Sequence, residues 1–413
     1  MDLVKPLPID LQYIVTNYDP GVLFRILCKS ELVKYDWFKL IWMNFGIRYD
    51  RDLCTNEEIM RVYYDYCFRE KAKIACGEYS TIVRLDDGRL MTCGRLGLGD
   101  YSNRCVLSEI KGVPKNIAEV VCSYNHVIIM LTDGTLMGCG ENTYGQLGLG
   151  DNNNRILFCE IKGVGKNIAK VCCGYYATMI MLTDGTLLSC GFNGYGYLGL
   201  GDRRDRNLFE EVPGIPKNIV DVVCGIAHTI ILLTDGTLMV CGSNSHGQLG
   251  MGDSLARKRF EVISGIPKNI AEVICADCHS IIRLTNGTLM SCGFNKNGQI
   301  GFGDKKNRFS EIVGMPKNVV KIVCSVYGTM ILLDDGVVMR CSFKEDPSEN
   351  LFEGMKGIGK NVIGMVGNAY HKIIRLADGR LMGYGYNTQG QLGVGDYKER
   401  TLFEEIKIEN VCR

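Results

Sequence analysis

Three features of the sequence predict a mainly β chain folded as a seven-bladed β-propeller behind a small α-helical module. An Asp-Gly or Asn-Gly step recurs at Asp87-Gly88, Asp133-Gly134, Asp184-Gly185, Asp235-Gly236, Asn286-Gly287, Asp335-Gly336 and Asp378-Gly379, with spacings of 46, 51, 51, 51, 49 and 43. A period near 50 residues marks a solenoid or a propeller. Each copy reads as about four short strands with no room for a long helix, which describes a propeller blade. Ahead of residue 71 this strand-turn-strand pattern stops and the apolar spacing becomes helical. The predicted boundaries are therefore a helical module over 1–70 and the propeller over 71–413.

In the front segment, Leu11, Ile14, Val15 and Tyr18 form one apolar stripe, and Asp19-Pro20 supplies an N-cap with a first-turn proline. Thr55-Asn-Glu-Glu58 is a capping box leading into Ile59, Val62, Tyr63 and Tyr66. Both tryptophans, Trp37 and Trp42, lie here, and three or four short helices are expected.

The propeller unit is clearest in the second copy. Val127-Ile-Ile-Met-Leu-Thr and Thr135-Leu-Met-Gly-Cys139 flank Asp133-Gly134, whose two-residue loop favours a type I′ turn and would set Cys139 opposite Ile128. A glycine segment, Tyr144-Gly-Gln-Leu-Gly-Leu-Gly-Asp151, and two further β-prone runs complete the blade. Two copies depart from this plan. The first shortens its glycine segment by five residues to Cys93-Gly94-Arg95-Leu96-Gly97-Leu98-Gly99-Asp100, and the sixth replaces it with Cys341-Ser-Phe-Lys-Glu-Asp-Pro-Ser-Glu-Asn350. The chain ends on Ile408-Glu-Asn-Val411-Cys412, an eighth copy of the strand ending in Cys76, so the segment from Leu402 is expected to pair with N-terminal propeller strands.

Composition removes several function classes. With 47 basic and 46 acidic residues the net charge is +1, which argues against a nucleic-acid binder. The N-terminus has no apolar signal core, and no apolar run approaches the roughly 18 residues of a membrane span. A soluble, unsecreted protein is expected. Of the 20 cysteines, six (Cys76, Cys122, Cys173, Cys224, Cys275, Cys324) stand eleven residues before the turn and six (Cys93, Cys139, Cys190, Cys241, Cys292, Cys341) stand six after it. Such placement reads as reduced thiols packed in strands, and hence a reducing compartment, cytoplasmic or nuclear. Cys275-Ala-Asp-Cys278-His279 has haem-attachment spacing, but Cys275 and His279 are repeat positions shared with Cys224 and with His126, His228 and His371. Gly194-Tyr-Gly196-Tyr-Leu-Gly199 has dinucleotide spacing without the helix or acidic residue that would complete the site. No catalytic residue, cofactor or metal site is assigned, and the protein is expected not to be an enzyme.

Repeat symmetry lets rings of side chains be read from the sequence. The residue before the repeat-histidine position is Tyr79, Asn125, Tyr176, Ala227, Cys278, Tyr327 and Tyr370, and Tyr79, Tyr176, Tyr327 and Tyr370 offer a partner face because tyrosine buries much area at low entropic cost. Blade packing is the alternative use of those rings. A basic ring comprises Lys115, Lys166, Lys217, Lys268, Lys317 and Lys360 together with Arg104, Arg155, Arg206, Arg257, Arg308 and Arg400. Nearby Glu109, Glu160, Glu211, Glu261, Glu311 and Glu405 predict local pairing, with Arg203, Arg204, Arg257, Lys258 and Arg259 as the basic loops left over.

Cys224-Gly225, His228, Asp235-Gly236, Cys241-Gly242-Ser-Asn244, Gly247-Gln248-Leu249-Gly250 and Gly252-Asp253 resemble the RCC1-like (regulator of chromosome condensation) repeat, over 343 of 413 residues. The resemblance implies a seven-bladed propeller that binds proteins. The run Leu7-Pro8-Ile-Asp10-Leu11, Ile14-Val15, Tyr18-Asp19-Pro20, Val22-Leu23, Leu27-Cys28-Lys29 and Trp37-Phe38-Lys39-Leu40 resembles an F-box, which implies docking to Skp1 in a ubiquitin ligase. On that reading Leu7, Pro8, Leu11, Ile14, Val22, Leu23 and Leu27 face Skp1. Equally open is that this face packs on the propeller as a cap. An F-box followed by such repeats is similar to proteins encoded by giant DNA viruses of amoebae, which implies an infected host cell or a virion as the setting. The expected function is a non-enzymatic interaction scaffold and ubiquitin-ligase adaptor. One alternative is a self-associating structural or packaging protein; another is a guanine nucleotide exchange factor, disfavoured because blades of 43 to 51 residues hold no inserted wedge.

Overall fold

The turn at Thr132-Asp133-Gly134 sets the register of the sheet around it. Gly134 N–H donates to the Leu131 carbonyl (3.0 Å), and Leu131 N–H to the Thr135 carbonyl (2.8 Å). Gly134 has φ +83°, whereas no non-glycine residue among those described has positive φ. The loop is therefore three residues, a type I turn closed by a left-handed glycine, and not the two-residue type I′ turn read from the sequence, which needs positive φ at Asp133 as well. One extra loop residue moves the register by one, so Cys139 lies opposite Val127 instead of Ile128. Cys122 opposes the same Val127 from the other side.

The computed structural model describes residues 12–13, 16, 22–27, 29–45, 48, 51–52, 54–68, 74–95, 102–296, 298–300, 306–325, 328–341 and 352–408. Among these, seven four-stranded antiparallel sheets form the blades, over 74–109, 117–161, 168–211, 219–262, 270–311, 319–354 and 362–405. Every sheet is continuous in sequence, so the ring closes without a shared blade. This corrects the expectation for the C-terminus: Arg400–Glu405 pairs within its own blade, and the tie to the first blade is a short parallel bridge, with Leu107 N–H donating to the Lys407 carbonyl (3.0 Å). Gly395 N–H also donates to the Cys105 carbonyl (2.7 Å) across that seam. The altered segments of blades one and six, 96–101 and 342–351, lie outside the described residues.

Seams between blades are stapled by three recurring side chains. At the seam of blades two and three, the Gln146 carbonyl accepts from the Thr178 hydroxyl (2.7 Å) and the Cys190 thiol (3.5 Å). His126 Nε2 lies 3.0 Å from that same hydroxyl. Since the hydroxyl already donates its proton to the carbonyl, it accepts from the imidazole, which fixes the Nε2–H tautomer. Ser280, Cys292 and His228 repeat the arrangement on Gln248, and Thr81, Cys93 and His371 repeat it on Gln391 across the closing seam. Burial holds His126 and His228 at about 4, and His279 and His371 at about 3, well below ordinary imidazole.

The front segment forms helices α1 (Val22–Ile26), α2 (Lys29–Leu32), α3 (Trp37–Phe45) and α4 (Asn56–Phe68). Asp36 caps α3 through the Lys39 N–H, and the capping box is present: Thr55 N–H donates to Glu58 Oε2 (2.7 Å) and Glu58 N–H to Thr55 Oγ1 (3.3 Å). Leu23, Trp37, Leu40, Ile41, Ile59 and Tyr63 are fully buried in one core, which continues onto Ala271 and Val220 of the propeller. Arg48 N–H donates to the Thr234 carbonyl (3.0 Å), and Cys54 Sγ lies 3.2 Å from Thr285 Oγ1. The module therefore docks on blades four and five at the face carrying the Asp-Gly turns. Leu11, Ile14, Val15, Tyr18, Asp19 and Pro20 lie outside the described residues.

Candidate functional site

Antiparallel blades put the turns between first and second strands, and the glycine segments, on the face opposite the helical module. A continuous aromatic arc crosses this face over blades one to three. Tyr79 meets Tyr124 edge-on (5.8 Å), Tyr124 stacks on Tyr175 (3.6 Å), and Tyr175 meets Tyr176 edge-on (4.4 Å). Tyr176 continues to Tyr144 (4.9 Å), Tyr144 to Phe192 (5.0 Å), and Phe192 to Tyr195 (6.0 Å), whose ring is half exposed. Rings locked against one another lose little entropy when covered, which suits them as anchors for a partner. Of the predicted tyrosines, Tyr79 and Tyr176 are in the arc, Tyr370 lies outside it beside Tyr386 (6.2 Å) and lines the cavity at the axis, and Tyr327 lies outside the described residues.

Inside the arc opens the axial cavity, about 390 Å³, lined by the thiol-bearing strand ends at Cys76, Cys122, Cys173, Cys224, Cys275 and Cys324. The cavity also takes Glu78, Tyr124, Tyr175 and Asp277 from the turn column one residue before the predicted ring. That column is legible in the sequence by the same symmetry, as Glu78, Tyr124, Tyr175, Ile226, Asp277, Val326 and Ala369, a mixture of charge and aromaticity. Burial and the like charge of Asp277 raise Glu78 to about 7, against the opposing hydrogen bond from Tyr79. Burial raises Asp277 to about 6 and lowers Lys372 to about 8, and these two opposite charges partly offset each other's shift. Burial pushes the Cys76 and Cys324 thiols up to about 12, so they are neutral packing groups at neutral pH. Seventeen of the described cysteines are free thiols.

The basic ring is largely consumed by ion pairs, more often with aspartates than with the predicted glutamates. Arg155, Arg206, Arg257 and Arg400 bind Asp151, Asp202, Asp253 and Asp396, each four residues earlier. Lys166, Lys268 and Lys360 reach the turn residues Asp133, Asp235 and Asp335. Arg257 also binds Glu261, so it leaves the predicted set of spare basic residues. Arg203, Arg204, Lys258 and Arg259 are exposed, and Gly201 N–H bonded to the Lys258 carbonyl (2.8 Å) brings the two pairs to one seam. In the helical module Leu23 is buried in its own core, and Val22 and Leu27 pack at the edge, so Leu23 does not face a partner as predicted. Leu7, Pro8, Leu11 and Ile14 lie outside the described residues.

Models of the regulator of chromosome condensation (RCC1) repeat match residues 117–146, 168–196 and 219–248, and a second such model matches 133–181 and 184–232. The ultraviolet-B receptor UVR8 of Arabidopsis thaliana is 29% identical over 56% of this chain and 55% of its own length. The probable E3 ubiquitin-protein ligase HERC4 of Homo sapiens is 30% identical over 40% of this chain and 16% of its own length. The chain thus spans about half of one relative and a sixth of the other. A chain in the structure of Kap60 bound to yeast RCC1 (Prp20) superposes with TM-score 0.68 at 14% identity, covering 82% of this chain and 88% of that one. Prp20p from Saccharomyces cerevisiae, in a structure whose subject is its binding to Gsp1p and histones, superposes with TM-score 0.51 at 16% identity, over 83% of this chain and 79% of that one. Among the described residues no helix is long and apolar enough to cross a membrane. The repeat matches and the ring of seven sheets agree: the described residues form a seven-bladed β-propeller, and residues 117–248 of it are similar to RCC1 repeats.

Proposed function

We propose that this chain is a non-enzymatic scaffold that recruits a protein target on the face bearing the aromatic arc. The observation that carries the reading is the unbroken contact from Tyr79 through Tyr124, Tyr175, Tyr176, Tyr144 and Phe192 to Tyr195. Three of the four repeat histidines are engaged in seams and the ring thiols are held neutral by burial, which supports binding over catalysis. Propellers of this fold bind proteins, Kap60 and Gsp1p among them. Free thiols in strands support a reducing compartment, cytoplasmic or nuclear.

A finer reading couples the helical module to a Skp1-like protein. Supporting it are the F-box-like pattern, the half-exposed Val33 and Trp42 on the docked module, and a similar relative named as a probable ubiquitin ligase. One affinity capture from cells, read by mass spectrometry, tests both levels. Wild type is expected to hold a protein that the Tyr124→Ala/Tyr176→Ala/Tyr195→Ala variant loses at least tenfold, and an unchanged set would remove the face assignment. Skp1 lost on Trp42→Ala supports the adaptor; its absence from every sample removes that reading. Sizing chromatography and nucleotide-release assays on small GTPases separate the packaging and exchange-factor alternatives.

A further inference from the structure

Blade seven breaks the thiol ring in a way that gives the axial cavity its charge. Gly367 stands where six other blades carry cysteine, and a Cβ there would lie 2.3 Å from Lys372 Cδ. Glycine at this position is what admits the lysine stem from the neighbouring strand, where Lys372 is paired with Gly367. Lys372 is 4% exposed and donates to the Asn368 carbonyl.

Two carboxyl groups line the same cavity: Asp277 interacts electrostatically with this ammonium, and Glu78 with Asp277. Glu78 is 6% exposed, its Oε2 has no hydrogen-bond partner, and its backbone is pinned by its N–H to the Tyr124 carbonyl (2.9 Å). Asp277 Oδ2, from blade five, is likewise buried and unpartnered. A buried carboxylate oxygen without a donor carries a desolvation cost that an incoming cation would remove. Lys321 also lines the cavity, but it lies three residues along the strand from Cys324, roughly 10 Å deeper at the usual strand rise, and its side chain is solvated. At the mouth two carboxyl groups stand against one ammonium, with Asp277 mostly ionised and Glu78 about half ionised at neutral pH. The stacked rings of Tyr124 and Tyr175 stand beside them and add π-faces, which attract ammonium and guanidinium groups. A volume of about 390 Å³ lies within the usual range of ligand pockets.

We infer that the axial cavity receives a lysine or arginine side chain of a protein partner, with Glu78 and Asp277 taking the cation beside the Tyr124–Tyr175 stack. This deepens the scaffold reading and rests on it, by giving the recruited segment a chemistry: a basic residue inserted at the axis, its neighbours lying over the aromatic arc. A free polyamine shares the cation but cannot cover the arc, so the protein source predicts the tighter binding.

The test uses the full chain and four probes in calorimetric titration: a lysine-rich peptide, the same peptide with norleucine for lysine, a glutamate-rich peptide, and spermidine. The lysine peptide is expected to bind with one site per chain, at least tenfold tighter than spermidine, and the norleucine and glutamate peptides not to bind. Glu78→Gln/Asp277→Asn is expected to weaken the lysine peptide at least tenfold while the variant still melts cooperatively, because the amides keep the shape of the carboxyl groups they replace. Tyr124→Leu, which leaves both carboxylates in place, is expected to weaken it severalfold. Equal binding by the carboxylate variant, preference for the glutamate peptide, or spermidine binding as tightly as the peptide would each overturn the inference. Should the lysine peptide fail while cellular capture still depends on the aromatic arc, the inference falls and the scaffold reading stands.

Discussion

The seam between blades two and three and the seam between blades six and seven use the same columns of the repeat and are built differently. At the first, Thr178, Cys190 and His126 converge on one carbonyl of the preceding glycine segment. At the second, the preceding blade has lost that segment from its sequence, and Lys372 and Tyr384 stand where the hydroxyl and the thiol belong, with Gly328 in the histidine column. The seam of blades one and two shows the same dependence. Blade one has the shortened segment, blade two has Val127 in place of the hydroxyl, and Ser80 replaces the histidine. A loop lost in one blade is thus matched by altered strands in the next, and Lys372 is free to enter the axis because it has no staple to make.

Removing residues 402–413 should produce the largest effect on this contrast. It strips most of the outer strand of blade seven and the Lys407–Leu107 bond, leaving the Gly395–Cys105 bond and the side-chain staple to hold the closing seam. A melting temperature lower by about 10 °C or more is expected, at roughly 2–4 °C per kcal/mol. An unchanged melt would show that the Thr81–His371–Gln391 staple suffices.

Thr178→Val and Val127→Thr give the sharper comparison. The first leaves the His126 Nε2–H buried without an acceptor, costing about 1–3 kcal/mol in a urea titration. The second adds a hydroxyl where the described residues offer no histidine, and no gain is expected. Equal and opposite effects would mean that the seams do not differ as described.

Acid has the smallest predicted effect per group. Four buried histidines hold folded values of about 4 or 3, below about 6.5 when unfolded, so their contribution is complete above 6.5 and is lost as pH falls through the window towards 4. Glu78 and Asp277, raised to about 7 and 6, act in the opposite sense, since folding favours their protonated forms. Four groups outweigh two, so the unfolding free energy from urea titration is expected to fall between pH of about 7 and 5, by up to about 1.4 kcal/mol per pH unit for each proton of imbalance. Glu78→Gln/Asp277→Asn should steepen the fall, and a flat profile would contradict the histidine environments.

The architecture was legible because a period written seven times averages out local ambiguity: the Asp-Gly steps fixed blade number and the Thr55–Glu58 box fixed a helix start. The register was missed by one because Asp-Gly serves two hairpin types, and the backbone of Asp133, which sequence does not display, decides between them. Apart from Tyr370, the predicted tyrosine ring stands one column from the residues lining the axis, because a residue-by-residue symmetry names equivalent positions without saying which points inward. Leu23 could not be assigned outward or inward, since a partner and a core both ask for the same apolar face.

The staples carry an implication for engineering. Each fastens a loop of one blade to a strand of its successor, so a whole blade is not a transplantable part. Recombination of this ring, by shuffling or circular permutation, should succeed when the crossover keeps a glycine segment together with the hydroxyl, thiol and imidazole that read it, and fail when the cut follows the visible gaps between sheets.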